Sequence, residues 1–240
     1  MREMKVFLML GQSNMAGRGD PRGAESLSSK HAFVLRNGKW QQMTEPINID
    51  RPICFDGKMG TNSGVGPAAS FARAYADYYE EDIGLVPCAE GGSSLEDWTP
   101  CGQLFLNALY QAKLAANVGE LTGILWHQGE AECSDKTRAE TYEERFLNIM
   151  NELQNSLGTK LDIVVGEIGE FFAEHPGKPQ YIGTVNKALH TLADEHDNIT
   201  IASSKGLRDR GDKLHFSTEA QREFGRRYFE AYRRMKEEGR

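Results

Sequence analysis

Short, nearly continuous apolar runs alternate along the chain with longer runs in which apolar residues return every three or four positions. The short runs are Lys5–Leu10, Ile83–Cys88, Thr122–Trp126, Asp162–Glu167 and Ile199–Ala202; brief and rich in β-branched residues, they predict strands. The longer runs predict helices. Pro67–Tyr79 opens on a first-turn proline and carries Ala68, Phe71, Ala72 and Tyr75 at i, i+3, i+4 and i+7, and Gln103–Ala116 repeats the pattern with Leu104, Leu106, Leu109 and Ala112. Thr141–Leu157, Gln180–Glu195 and Thr218–Lys236 complete the set, the last with Ser217 placed to cap it and a lysine- and arginine-rich end that suits the helix dipole.

This alternation predicts a three-layer α/β/α domain over residues 1–240, with five mostly parallel strands covered by helices on both faces. Residues 18–64 break the rhythm. They contain Phe33–Trp40 with a hairpin-turn pair, Asn37-Gly38, and are expected to form an insertion over one end of the sheet.

Composition narrows the function. With 240 residues, 39% of them hydrophobic, there is material for a full core, and a net charge of −7 disfavours nucleic acid and acidic membranes as partners. Cys54, Cys88, Cys101 and Cys133 show no C-x-x-C spacing and are expected to be buried free thiols. The N-terminal apolar run, Val6–Leu10, is shorter than the ~7–15 residues of a secretion signal. No stretch approaches the ~18 apolar residues of a membrane span, so the expected location is the cytoplasm.

In open α/β sheets ligands bind beyond the carboxyl ends of the strands. The segments leaving the strands are therefore informative: Gly11-Gln-Ser-Asn-Met-Ala-Gly17 after the first, Ala89-Glu-Gly-Gly-Ser-Ser94 after the second, His127-Gln-Gly-Glu130 after the third, and Gly211-Asp-Lys-Leu-His215 before the terminal helix. Together they offer the parts of an acyl-transfer site. Ser13 supplies a hydroxyl, His215 a base, and Asp212, three residues away, an orienting carboxylate. Candidate oxyanion donors are the Ser13 N–H, the N–H of Gly91 or Gly92, and the Gln128 amide. Singly, each piece also reads as an ordinary turn, cap or surface group; their order and placement after strands are what join them.

The Gly11–Gly17 heptapeptide, with Gly91-Gly92-Ser93, Trp126-His-Gln-Gly-Glu130 and Asp212-Lys-Leu-His215, resembles the SGNH hydrolases, and within them carbohydrate esterase family 6 and the sialate O-acetylesterases. The resemblance implies a flavodoxin-like fold and a cofactor-free serine esterase acting on O-acetylated carbohydrate. Ser13 would be the nucleophile, His215 the base, Asp212 its partner, and Gly91, ahead of Gly92, the oxyanion glycine. Gln128 stands where the superfamily name expects asparagine, a departure shared by the acetylxylan-esterase branch. Glu130 would buttress this loop and Asn14 hold the nucleophile turn.

Other residues are set aside. His127 has no second histidine at i+4, so no metal site is expected; His31, His175, His190 and His196 read as surface groups. Glu167 and Glu170 could form a glycosidase pair but read better as strand-end caps. Trp40 and Trp98 suit either a sugar-stacking rim or the core. The lipase pattern G-x-S-x-G is absent at Ser13. Two other functions compete: hydrolysis of other small esters or thioesters, and carbohydrate binding without catalysis.

Overall fold

The computed structural model describes residues 4–48 and 63–239. In chain order the elements are β1 (Lys5–Gly11), α1 (Ser13–Ala16), β2 (Ala32–Arg36), β3 (Lys39–Gln42), α2 (Ala68–Tyr79), β4 (Ile83–Pro87), α3 (Gln103–Ala115), β5 (Glu120–His127), α4 (Lys136–Glu140), α5 (Tyr142–Leu157), β6 (Asp162–Gly166), a 3₁₀ turn (Glu170–Glu174), α6 (Ile182–Glu195), β7 (Ile199–Ala202) and α7 (Thr218–Glu237).

The strands form one sheet in the order β3-β2-β4-β1-β5-β6-β7, parallel except for the β2–β3 pair. The expectation of five strands is corrected to seven. The five long-range strands β4-β1-β5-β6-β7 follow the flavodoxin-like order, whose direction reverses between β1 and β5, the place where such sheets open a crevice. The two added strands come from the expected insertion. Asn37 and Gly38 have φ of 51° and 71°, the left-handed pair of a type I′ turn, and the hairpin they close lies beside β4. The hairpin therefore widens the sheet sideways instead of covering one end. An antiparallel bridge between Gly19 and Val65 draws the two ends of the excursion together. Arg222 of α7 clamps it from below, meeting both Glu45 carboxylate oxygens at 2.6 Å. Residues 49–62 of the insertion, Cys54 included, lie outside the described residues.

Both faces of β1 are covered, which is why Val6–Leu10 is apolar without alternation. On one face Phe7 meets Phe71, Tyr75 and Tyr232 edge-on, with centroids 4.9, 5.4 and 5.3 Å away, joining the sheet to α2 and α7. On the other, Trp126 sits between Trp98 and Phe146, 5.5 Å from each. Trp98 is thus core, not a sugar-stacking rim. Trp40 packs over Gly84, where any side chain would collide with its ring. Ser217 caps α7 by accepting the Ala220 N–H at 3.2 Å. Cys88 and Cys133 are buried free thiols, the burial of Cys88 pushing its thiol up to about 12; Cys101 is free but exposed, against expectation.

Candidate active site

The site sits at the β1/β5 reversal. Gln12 N–H donates to the His127 carbonyl at 2.8 Å, so the chain leaving β1 stays tied to the end of β5 before turning into the single helical turn that begins at Ser13. Gly11 makes this possible: its φ is +123°, and a side chain there would overlap the His127 carbonyl.

The loop before α7 approaches from the opposite side. His215 Nε2 lies 3.0 Å from Ser13 Oγ, and its Nδ1 lies 2.7 Å from Asp212 Oδ2. Asp212 is fixed in turn: Oδ1 accepts the N–H groups of Leu214 at 3.0 Å and His215 at 2.8 Å, and Oδ2 accepts Arg210 Nε at 2.8 Å. Partial burial alone would raise this carboxyl. Those hydrogen bonds outweigh it and hold Asp212 well below the usual carboxylate range. For His215, burial is the larger influence and lowers its affinity for a proton, while Asp212 only partly offsets it. The imidazole is therefore neutral at neutral pH, with Nε2 able to accept the Ser13 proton.

Asn14, beside Ser13, is buried, and both polar atoms of its side chain are hydrogen-bonded. Its Nδ2 donates to Glu130 Oε1 at 2.6 Å and to the Leu214 carbonyl at 3.1 Å, while its Oδ1 accepts the Phe216 N–H at 3.2 Å. Leu214 and Phe216 flank His215, so one amide fixes the spacing between the serine turn and the histidine. Burial would raise Glu130, but the charge and hydrogen bond of His127, 3.2 Å away, and the Asn14 bond keep it below the usual range. His127 also meets the Tyr228 hydroxyl at 3.3 Å. It is a buried structural group.

On the other side of Ser13 stands the Glu90–Leu95 loop. Of its two glycines, Gly91 packs against Ser13: a first side-chain carbon there would lie 3.7 Å from Ser13 Cβ and would run into the Arg18 guanidinium. Gly92 has φ +78° and open space around it. Gln128 is fully buried; its amide nitrogen donates to the Glu132 carboxylate and, at 3.4 Å, to the Ser93 carbonyl. The structure thus brings Ser13, His215, Asp212, Asn14, Glu130 and Gly91 together around one point, with Gln128 behind them and Gly92 turned outward.

Three participants were missed by sequence reasoning: Arg18, Arg210 and Glu132. Arg18 comes directly after the heptapeptide, but charged loop residues ordinarily read as solvated. An open groove beside the triad is lined by Arg18, Asp20, Arg22, Arg210 and Asp212. A second groove, lined by Leu147, Met150, Lys160 and His196, is at the opposite edge of the sheet and contains no site residue. Glu167 binds His190 at 2.6 Å and Ser203 at 2.7 Å, which makes it a brace between the β6 and β7 loops and not half of a glycosidase pair. Among the described residues no cluster of His, Cys, Asp and Glu is arranged to hold a metal, and no helix is long and apolar enough to cross a membrane.

A family model for carbohydrate esterases, sialic acid-specific acetylesterase, matches residues 3–234. The chain belongs to this family. It is a carboxylic-ester hydrolase with the SGNH-hydrolase fold. A probable carbohydrate esterase of Arabidopsis thaliana is 31% identical over 95% of this chain and 90% of its own length. The solved structure of that plant protein superposes with a TM-score of 0.82 at 28% identity, covering 97% of this chain and 98% of the other. NanS superposes at 0.74 with 15% identity, each chain being 98% covered. A carbohydrate acetylesterase of Xanthomonas citri superposes at 0.66 with 19% identity, covering 96% of this chain and 56% of the other. At those identities the last two speak for the fold.

Proposed function

We propose that this protein removes acetyl groups from carbohydrate hydroxyls through Ser13, His215 and Asp212. The observation that carries the reading is the hydrogen-bond chain Ser13–His215–Asp212, at 3.0 and 2.7 Å, centred on a histidine whose burial disfavours its protonation. His215 Nε2 takes the Ser13 proton as Oγ bonds to the acetyl carbonyl carbon. The tetrahedral oxyanion is met by the backbone N–H groups of Ser13 and Gly91, and by the second Gln128 amide hydrogen once it leaves the Ser93 carbonyl. The C–O bond to the sugar breaks, and His215 gives its proton to the departing hydroxyl. Water, deprotonated by the same nitrogen, then releases acetate from Ser13.

The groove supports a polar leaving group. Arg18, Asp20, Arg22 and Arg210 line it with hydrogen-bonding side chains suited to sugar hydroxyls. The family description and the carbohydrate esterase named in the Arabidopsis thaliana relative point the same way. The test is acetate release from p-nitrophenyl acetate, O-acetylated sialic acid and acetylated xylo-oligosaccharides, comparing the native chain with Ser13→Ala. A loss of about 10⁴-fold or more is expected. Turnover that survives the substitution would remove Ser13 from its role. Inertness of the native chain toward all three substrates and toward a serine-directed phosphonate would favour carbohydrate binding without catalysis.

A further inference from the structure

Glu132 is a buried carboxylate, fully shielded from solvent, and it lies outside the Ser13–His215–Asp212 chain. Burying a charge is costly unless it is well partnered. Here the hydrogen-bonded partners are neutral, so burial raises this carboxyl above the usual range and the bonds it accepts oppose the rise: Oε1 accepts the Leu95 N–H at 2.8 Å and Oε2 accepts the Gln128 amide. The nearby Arg138 and Arg145 are ion-paired with Glu96 instead, each at 2.7 Å. What Glu132 holds is informative. Leu95 ends the loop that carries Gly91, and Gln128 follows β5, so the carboxylate joins the two segments that supply the proposed oxyanion donors. The same loop is fastened by Ser93, whose hydroxyl donates to the Glu90 carbonyl at 2.8 Å and accepts Trp98 Nε1 at 3.0 Å.

A glutamine amide can sit either way round in a cavity of its shape. A carboxylate can only accept, so it selects the orientation in which Gln128 offers nitrogen and its second hydrogen points toward Ser93. That second contact is long at 3.4 Å, leaving this hydrogen the loosest donor in the network. Charge on the acceptor polarises the amide as well.

We propose that Glu132 is a positioning residue of the esterase: it fixes the Gln128 amide with its second hydrogen available to the oxyanion, and holds the Gly91 loop in place by the Leu95 N–H. The inference rests on the acyl-transfer reading above. Glu132→Gln keeps the shape and can still accept from Leu95, but no longer dictates which way Gln128 faces. On p-nitrophenyl acetate it is expected to lower kcat about 10- to 100-fold with KM changed less than two-fold, a fraction of the 10²–10³ that a lost oxyanion donor costs. Glu132→Asp, which keeps the charge, should recover part of this. Adding Gln128→Ala to Glu132→Gln should cost nothing beyond Gln128→Ala alone, because the carboxylate acts through the amide. In the native protein the Gln128 side-chain amide should give a downfield, slowly exchanging proton by NMR that is lost in Glu132→Gln. This readout needs no turnover, so it tests the positioning even if the esterase reading fails. Unchanged kcat in a folded Glu132→Gln, fully multiplicative losses in the double variant, or an unshifted Gln128 amide would each overturn the proposal.

Discussion

Ser13 has two sides, and they are built differently. On the side of the proposed base, the two groups that would exchange a proton are already in contact. His215 reaches Ser13 at 3.0 Å, and the buried carboxylate behind, Glu130, is paired with His127 and locks Asn14 against both neighbours of His215. On the proposed oxyanion side the matching carboxylate, Glu132, two residues along the same loop, is bonded to neutral N–H donors, and the amide it holds keeps only a 3.4 Å contact with its second hydrogen. The difference is chemically sensible. In the proposed cycle a proton passes between Ser13 and His215 twice, and that transfer needs a short, fixed path. An oxyanion donor is needed only when charge develops, and a firm ground-state partner would compete with that charge.

The sharpest way to break the comparison is to disorder the base side without removing it. Asp212→Asn keeps the size of the side chain and can still accept the Leu214 and His215 N–H groups through Oδ1. Its amide would meet His215 Nδ1 with a donor, turning the imidazole to the tautomer that carries hydrogen on Nε2. A loss of about 10⁴-fold in kcat on p-nitrophenyl acetate is expected, the scale known for an orienting carboxylate replaced by its amide. A loss under ten-fold would mean that Asp212 does not orient the base. Asn14→Ala comes next. It strips one donor from buried Glu130 and both ties to the His215 loop, costing about 1–3 kcal/mol of stability, with kcat expected to fall roughly ten-fold or more through the loosened proton path. A denaturant titration beside the rate assay separates the two effects, and a destabilised variant with native kcat would show that Asn14 serves the fold alone.

The fold was legible in the sequence where elements are local. Ile199–Ala202 coincides with its predicted strand, and the helix predicted at Gln103–Ala116 ends one residue earlier. Asn37-Gly38 announced a hairpin, but the pairing of β2 with β4 is a contact between residues about fifty apart, which periodicity cannot register. The ordering of reactive residues after strands placed Ser13, Asp212 and His215 at one sheet edge, because parallel topology converts sequence order into a shared rim. What stayed hidden were residues whose meaning depends on a partner. Glu132 reads as a solvated loop acid until Leu95 and Gln128 are seen to enclose it. Gly91 is set ahead of Gly92 only by resemblance until it is found against Ser13 and Arg18. Trp98 gives no sign in sequence that its ring belongs beside Trp126.

The smallest effect sharpens the base side further. Burial lowers the proton affinity of His215, the Arg18 charge adds to this, and Asp212 opposes both. Since only neutral His215 accepts the Ser13 proton, kcat/KM should fall as pH drops through a value below the ordinary 6.5 of histidine, and activity should persist somewhat below that pH. Stability has the same sign: the unfolded chain takes up the proton first, so the fold loses stability as pH falls from about 6.5 toward the lowered value in the folded state. Arg18→Gln removes one cation facing the imidazole and should move the acid limb of kcat/KM upward, toward the ordinary value. A limb that stays in place would leave burial as the whole cause and detach Arg18 from the electrostatics of the base.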